Sequence, residues 1–210
     1  VPDKEKMNPF TAIAGVLMAL TASAHAIEQP KFTVLQTTDV FEIRKYEPYV
    51  VAEVVVAGPA TDAGNNAFPI LAGYIFGKNK GERKFDMTAP VTQTAVSAPV
   101  KLEMTAPVTQ TPAAEGFLVQ FMMPGAYTLA TLPEPLDARV KLRAIPEQTL
   151  AVIKYSGTWS QSNYDEHLGL LKKALTQANI ATQGEPVYSR YNAPFTPWFM
   201  RTNEISFKVR

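Results

Sequence analysis

At 210 residues and 46% hydrophobic content, the chain is long enough to bury a substantial core as a single domain. Its 20 Lys and Arg against 19 Asp and Glu leave a formal charge of +1, without the positive field that holds a phosphate backbone, so nucleic acid is not an expected partner. The absence of cysteine excludes disulfides, thiolate metal sites and thiol catalysis together.

The first element is a short apolar run, Ala12 to Ala22, followed by the small-x-small triplet Ala24-His25-Ala26. That is the layout of an export leader, whereas a spanning helix needs about 20 apolar residues. Residues 1–26 are therefore expected to be a cleaved signal peptide. Residues 27–210 would then form one periplasmic or secreted domain with no membrane span after cleavage. An uncleaved N-terminal anchor is the alternative.

Phe32 to Val56 reads as strands, with Tyr49-Val50-Val51-Ala52-Glu53-Val54-Val55-Val56 dense in β-branched residues and Glu47-Pro48 as a turn. From Ala60 to Phe76 the apolar spacing becomes helical, with Thr61 or Asp62 as the cap. Pro69 lacks an N–H and crowds the carbonyl four residues back, which predicts a kink or restart there. The polar loop 77–83 follows. Asp86-Met87-Thr88-Ala89-Pro90-Val91-Thr92-Gln93-Thr94 then recurs from Glu103 to Thr111 with eight of nine positions identical. Two copies predict a duplicated strand-turn element rather than a solenoid, with Pro90 and Pro107 at edges or bulges. Strands are expected again at 117–123, 140–145 and 149–155. Asn163 to Ala178 carries one apolar stripe, Tyr164, Leu168, Leu171, Leu175 and Ala178, with Ser162 and Asp165 resembling a capping box. Residues 186–191 and 203–209 close the chain as strands. The order gives an α+β domain in which a curved antiparallel sheet or barrel is flanked by two helices.

Catalytic constellations are sparse. His167 is the one histidine after the leader, and its place beside the helix stripe predicts a partly exposed surface residue, with metal ligation or acid–base work as the alternative. A zinc site needs three or four ligands at recognisable spacing, and the sequence displays none; nor does it contain a Gly-x-Ser-x-Gly elbow or a phosphate loop. Methionines and aromatics are more prominent: Met87, Met104, Met122, Met123, Met200, Phe68, Phe76, Phe121, Trp159 and Trp198. They serve either a core or a soft apolar pocket for a flat ligand. Arg44, Lys45, Lys78, Lys80, Arg83, Lys84, Arg190 and Arg201 flank them.

The segments Phe41-Glu42-Ile43-Arg44-Lys45-Tyr46, Tyr74-Ile75-Phe76-Gly77-Lys78-Asn79 and Met87-Thr88-Ala89-Pro90-Val91 resemble the SOUL haem-binding protein family. So do Phe121-Met122-Met123-Pro124, Leu132-Pro133-Glu134-Pro135, Tyr191-Asn192-Ala193-Pro194-Phe195 and Arg201-Thr202-Asn203-Glu204, in the family's order. The resemblance implies a distorted antiparallel β-barrel from two pseudo-repeated halves, flanked by two α-helices, and a proline within the first helix. It also implies reversible, non-catalytic binding of haem or another tetrapyrrole against that helix, at Phe68, Leu71, Ala72 and Ile75. Met87 and Met104 would add to the apolar lining, and Arg44 and Lys78 would be rim cations. Some members carry methionines where this chain has Phe68 and Ala72, and a histidine proposed to ligate iron where it has Glu47. Binding would then rest on apolar contact, cation–carboxylate pairs, or a Tyr or Met ligand. Two other readings stay open: a module for other amphipathic small molecules, and a hydrolase-type enzyme.

Overall fold

The computed structural model describes residues 27–96, 116–193 and 195–210. The leader-like run, the second repeat copy and Met104 lie outside the described residues. The strands are β1 (Phe32–Thr37), β2 (Glu42–Tyr46), β3 (Tyr49–Ala57), β4 (Val91–Val96), β5 (Gly116–Met122), β6 (Lys141–Ile145), β7 (Gln148–Tyr155), β8 (Thr182–Arg190) and β9 (Asn203–Val209). The helices are α1 (Ala60–Ile75), between β3 and β4, and α2 (Gln161–Gln177), between β7 and β8.

All strand pairs are antiparallel, in the order β1-β2-β7-β9-β8-β4-β5-β3-β6. Without β1 this order is symmetric about the β8–β4 pair. The run β2-β3-α1-β4-β5 corresponds element by element to β6-β7-α2-β8-β9. The two halves predicted from the sequence are therefore present, with one exchange. The leading strand of each half pairs with the other half: β2 with β7, and β6 with β3. The sheet curls into a half-barrel whose end strands are β1 and β6.

Each half has its own core. In the first, Ala63, Ala67, Leu71, Tyr74 and Ile75 of α1 pack on Ala52, Val54, Val119 and Phe121. In the second, Leu171 and Leu175 of α2 pack on Ala151, Ile153, Ile205 and Phe207. The spacing of these helical positions is the three-and-four pattern of an amphipathic face.

The helix ends differ from the sequence reading in detail. The capping residue of α2 is Ser160, not Ser162. Ser160 has extended backbone (φ −79°, ψ 152°) and its hydroxyl accepts from Asn163 N at 3.3 Å. Ser162 is already inside the helix. The capping residue of α1 is Pro59, which offers no side-chain bond. The helix is also continuous through Pro69. Asn65 and Pro69 are both exposed, so the carbonyl deprived of its partner faces water and the helix tolerates the proline. Pro90 immediately precedes β4, a strand paired on both sides, where a missing N–H costs no ladder bond.

Candidate functional site

The β4–β8 junction, on the helix side of the sheet, is the floor of a cleft of about 310 Å³. Gln93 and Ala95 of β4 and Tyr188 and Arg190 of β8 form that floor, Phe117 of β5 adjoins it, and Thr61 of α1 closes one side. The opposite wall is one face of α2, namely Gln161, Tyr164, Leu168 and Lys172, together with Trp159 just ahead of the helix. Glu185 and Pro186 complete the lining.

Trp159 is held from several directions. Its Nε1 donates to Asn203 Oδ1 at 2.9 Å, and Asn203 is itself fully buried. Arg190 and Arg201 lie over its ring, 4.8 and 4.2 Å from the centroid. Gly157, at φ +114°, turns the chain toward this position and donates from its N to Trp198 O at 3.1 Å. A side chain at Gly157 would be strained, and its Cβ would meet Asn163 Nδ2 at 2.8 Å. Tyr188 adds an aromatic ring to the floor, in edge contact with Tyr164 at 5.2 Å.

The residues expected from the sequence fall in other places. Leu71 and Ile75 are 0% and 1% exposed, inside the first core, and Ala72 is buried as well. Phe68 (42% exposed) rests on Phe121 at 5.7 Å, and Met87 is 39% exposed. Lys78 is exposed, with its methylenes over Gly73. None of these lines the cleft. His167 is half-buried, stacked on Tyr155 at 4.1 Å with its Nδ1 2.8 Å from Asn163 O. Among the described residues no three His, Cys, Asp or Glu are grouped to hold a metal, and no helix is long and apolar enough to cross a membrane.

Arg44 lies on the reverse face of the sheet. Glu204 is the register partner of Ser189, whose neighbours Tyr188 and Arg190 face the cleft, so Glu204 points the other way. Arg44 (5% exposed) bonds Glu204 Oε1 at 2.9 Å, Glu42 Oε2 at 2.6 Å and Tyr46 Oη at 3.2 Å. Tyr191 Oη donates to Glu204 Oε2 at 2.6 Å. Burial alone would lower the Arg44 pKa, but the Glu204 charge and the bonds to Tyr46 and Glu204 hold it above its ordinary value.

The buried phenols give the fold an alkaline limit. Burial, then the Glu204 charge, pushes Tyr46 up to about 12, and burial pushes Tyr74 up to about 12. Unfolded tyrosines ionise near 10.0. Between these values the unfolded chain loses protons that the folded chain keeps, so stability present below pH 10 falls as pH rises toward 12. Each phenol contributes a slope of up to about 1.4 kcal/mol per pH unit in that window. Urea denaturation at pH 8, 10 and 11, with tyrosinate absorbance as the second signal, should give a flat and then falling stability. Unchanged stability at pH 11 would show that the phenols are not protected.

In the sequence Trp159 and Arg190 stand as one aromatic and one cation among several, with no local signal that joins them into a site. Five parts of the chain converge on the cleft, and only strand pairing across the β4–β8 junction brings them together.

A family model described as SOUL heme-binding protein matches residues 27–208. No curated protein matches the chain in sequence. Among solved structures, the C-terminal domain of EcmrR is similar at TM-score 0.56 and 11% identity, covering 80% of this chain and 95% of that one. An uncharacterized conserved protein from Listeria innocua gives 0.57 at 11% identity, covering 89% and 94%. A hydrolase from the same organism gives 0.54 at 12% identity, covering 84% and 94%. At these identities the likeness is one of fold.

Proposed function

The chain belongs to the SOUL haem-binding protein family, and on that ground we propose that it binds haem or a related flat tetrapyrrole reversibly and without catalysis. The observation that carries the reading is the family match over residues 27–208, most of the chain. The cleft supports it as the place of binding. Phe117, Trp159, Tyr164 and Tyr188 offer ring surface to a macrocycle, and Lys172 and Arg190 offer cations to its acid groups. A volume of about 310 Å³ is near the lower end for small-molecule sites, so a macrocycle would enter edge-on and project from the mouth.

The cleft's oxygen donors suit contact better than iron ligation. Burial pushes the Tyr164 phenol up to about 12, so it stays protonated at neutral pH and is a poor ligand to iron. Glu47 occupies the position where some members have histidine, and it is exposed. Titrating haemin into the purified chain should shift the Soret band modestly and quench tryptophan at micromolar haemin. Absence of both changes would sink the proposal. Quenching that survives loss of Trp159 but disappears on Phe68→Ala would move the ligand to the outer face of α1.

A further inference from the structure

We infer that Arg190 is the carboxylate anchor of the cleft, so that the ligand it selects is a flat apolar acid rather than a flat apolar cation. This rests on the cleft being the binding site, as proposed above.

Arg44, Arg139 and Arg143 are each paired with a carboxylate, at 2.9, 2.6 and 2.7 Å. Arg190 lies over two rings instead, 4.8 Å from the Trp159 centroid and 4.9 Å from that of Tyr188. Ring faces attract the charge but accept nothing in the guanidinium plane, where the N–H donors point. Its Nε is closed off from solvent and has no acceptor among the described residues. A donor shut off from water is shut off from a ligand as well, so a carboxylate would meet the terminal nitrogens of Arg190, which lines the cleft; the unpartnered Nε means that no described protein acceptor competes for the guanidinium there.

The surroundings keep this geometry in place. The two rings fix the plane of the guanidinium before any ligand arrives, which limits the ordering cost of a two-point contact with a carboxylate. On α1, a Cβ at Gly64 would stand 3.2 Å from Arg190 Nη1, so glycine there leaves the guanidinium its room. The other charges lining the cleft are Lys172 and Glu185. Two cations against one carboxylate leave the lining net positive, which opposes an apolar cation.

Three metal-free probes test the inference on the full chain: protoporphyrin IX, its dimethyl ester, and rhodamine 6G as a flat cation. Tryptophan quenching reads binding for each. The native protein should hold the diacid about 10- to 100-fold more tightly than the diester, the range of a charge-assisted hydrogen bond, and rhodamine 6G most weakly. Arg190→Gln should nearly abolish the acid–ester gap, the ratio being the readout whatever the diester affinity becomes, and Arg190→Lys should keep part of it. Equal binding of acid and ester by the native protein would overturn the anchor while leaving the cleft as the site. A gap that persists in Arg190→Gln overturns it too. If none of the probes binds, the proposed function and the anchor fall together. Should Arg190→Gln fail to fold by circular dichroism, the acid–ester gap of the native protein and of Arg190→Lys decides the matter.

Discussion

Replacing Arg44 with alanine is expected to cost about 3–5 kcal/mol of stability, the penalty for leaving a buried charge without its partner. Glu204 would remain nearly sealed from water, with the Tyr191 hydroxyl as its remaining donor among the described residues. Tyr46 and Glu42 would each lose a bond as well. For a domain of this size, about 2–4 °C per kcal/mol translates that loss into a thermal midpoint roughly 6–20 °C lower. Scanning calorimetry or a circular dichroism melt reads it directly. A second substitution separates stability from binding. Arg44→Met with Glu204→Gln removes both charges and should recover much of the loss, because a neutral pair leaves nothing to compensate. At a temperature where the variants stay folded, porphyrin affinity should change little, since Arg44 lies across the sheet from the cleft. A melt within about 2 °C of the native protein for Arg44→Ala would mean that the ion pair is not what secures this part of the sheet.

Trp159→Ala should weaken porphyrin binding by about 30-fold or more, the scale of a central aromatic anchor. Three effects combine. The largest ring in the cleft wall disappears, the Asn203 Oδ1 that accepts from it loses its donor, and Arg190 loses one of its two ring supports. Trp159→Phe restores ring area without the Nε1 bond and should stay within about fivefold of the native affinity, because the loss is then mostly one hydrogen bond. Isothermal titration with protoporphyrin IX measures both variants without depending on the fluorophore being removed. Native-like affinity in Trp159→Ala, with the fold intact, would place the ligand elsewhere.

How far the sequence discloses this molecule depends on the distance over which each signal acts. Helices and strands are local. The apolar spacing along 60–76 and 163–178 marks α1 and α2, because one face of each is buried in a core. At the start of α2, Ser160 and Ser162 offer the same capping chemistry two residues apart, and the extended backbone of Ser160 is what makes it the cap. In the sequence Arg44 reads as a rim cation because it is one of the basic residues that flank the methionines and aromatics. Its partner Glu204 is 160 residues away, so no local pattern reveals that the charge is internal. The cleft is the extreme case. Thr61, Gln93, Phe117, Trp159 and Arg190 have no common spacing, and the symmetry that gathers them is carried by strand order rather than by similar residues.

The exchanged leading strands also set a schedule. When β2 leaves the ribosome its partner β7 is still about a hundred residues away, since Arg44 pairs with Leu150, and β3 likewise waits for β6. Neither half can complete its share of the sheet by itself, so cutting the chain between the halves should give fragments that fold only in each other's presence. Such distant pairings carry a high contact order and belong to the slower folding classes, on the order of milliseconds to seconds. During that interval β2 and β3 present unpaired edges. The symmetry that builds the cleft thus leaves the nascent chain with open strand edges until β6 and β7 have emerged.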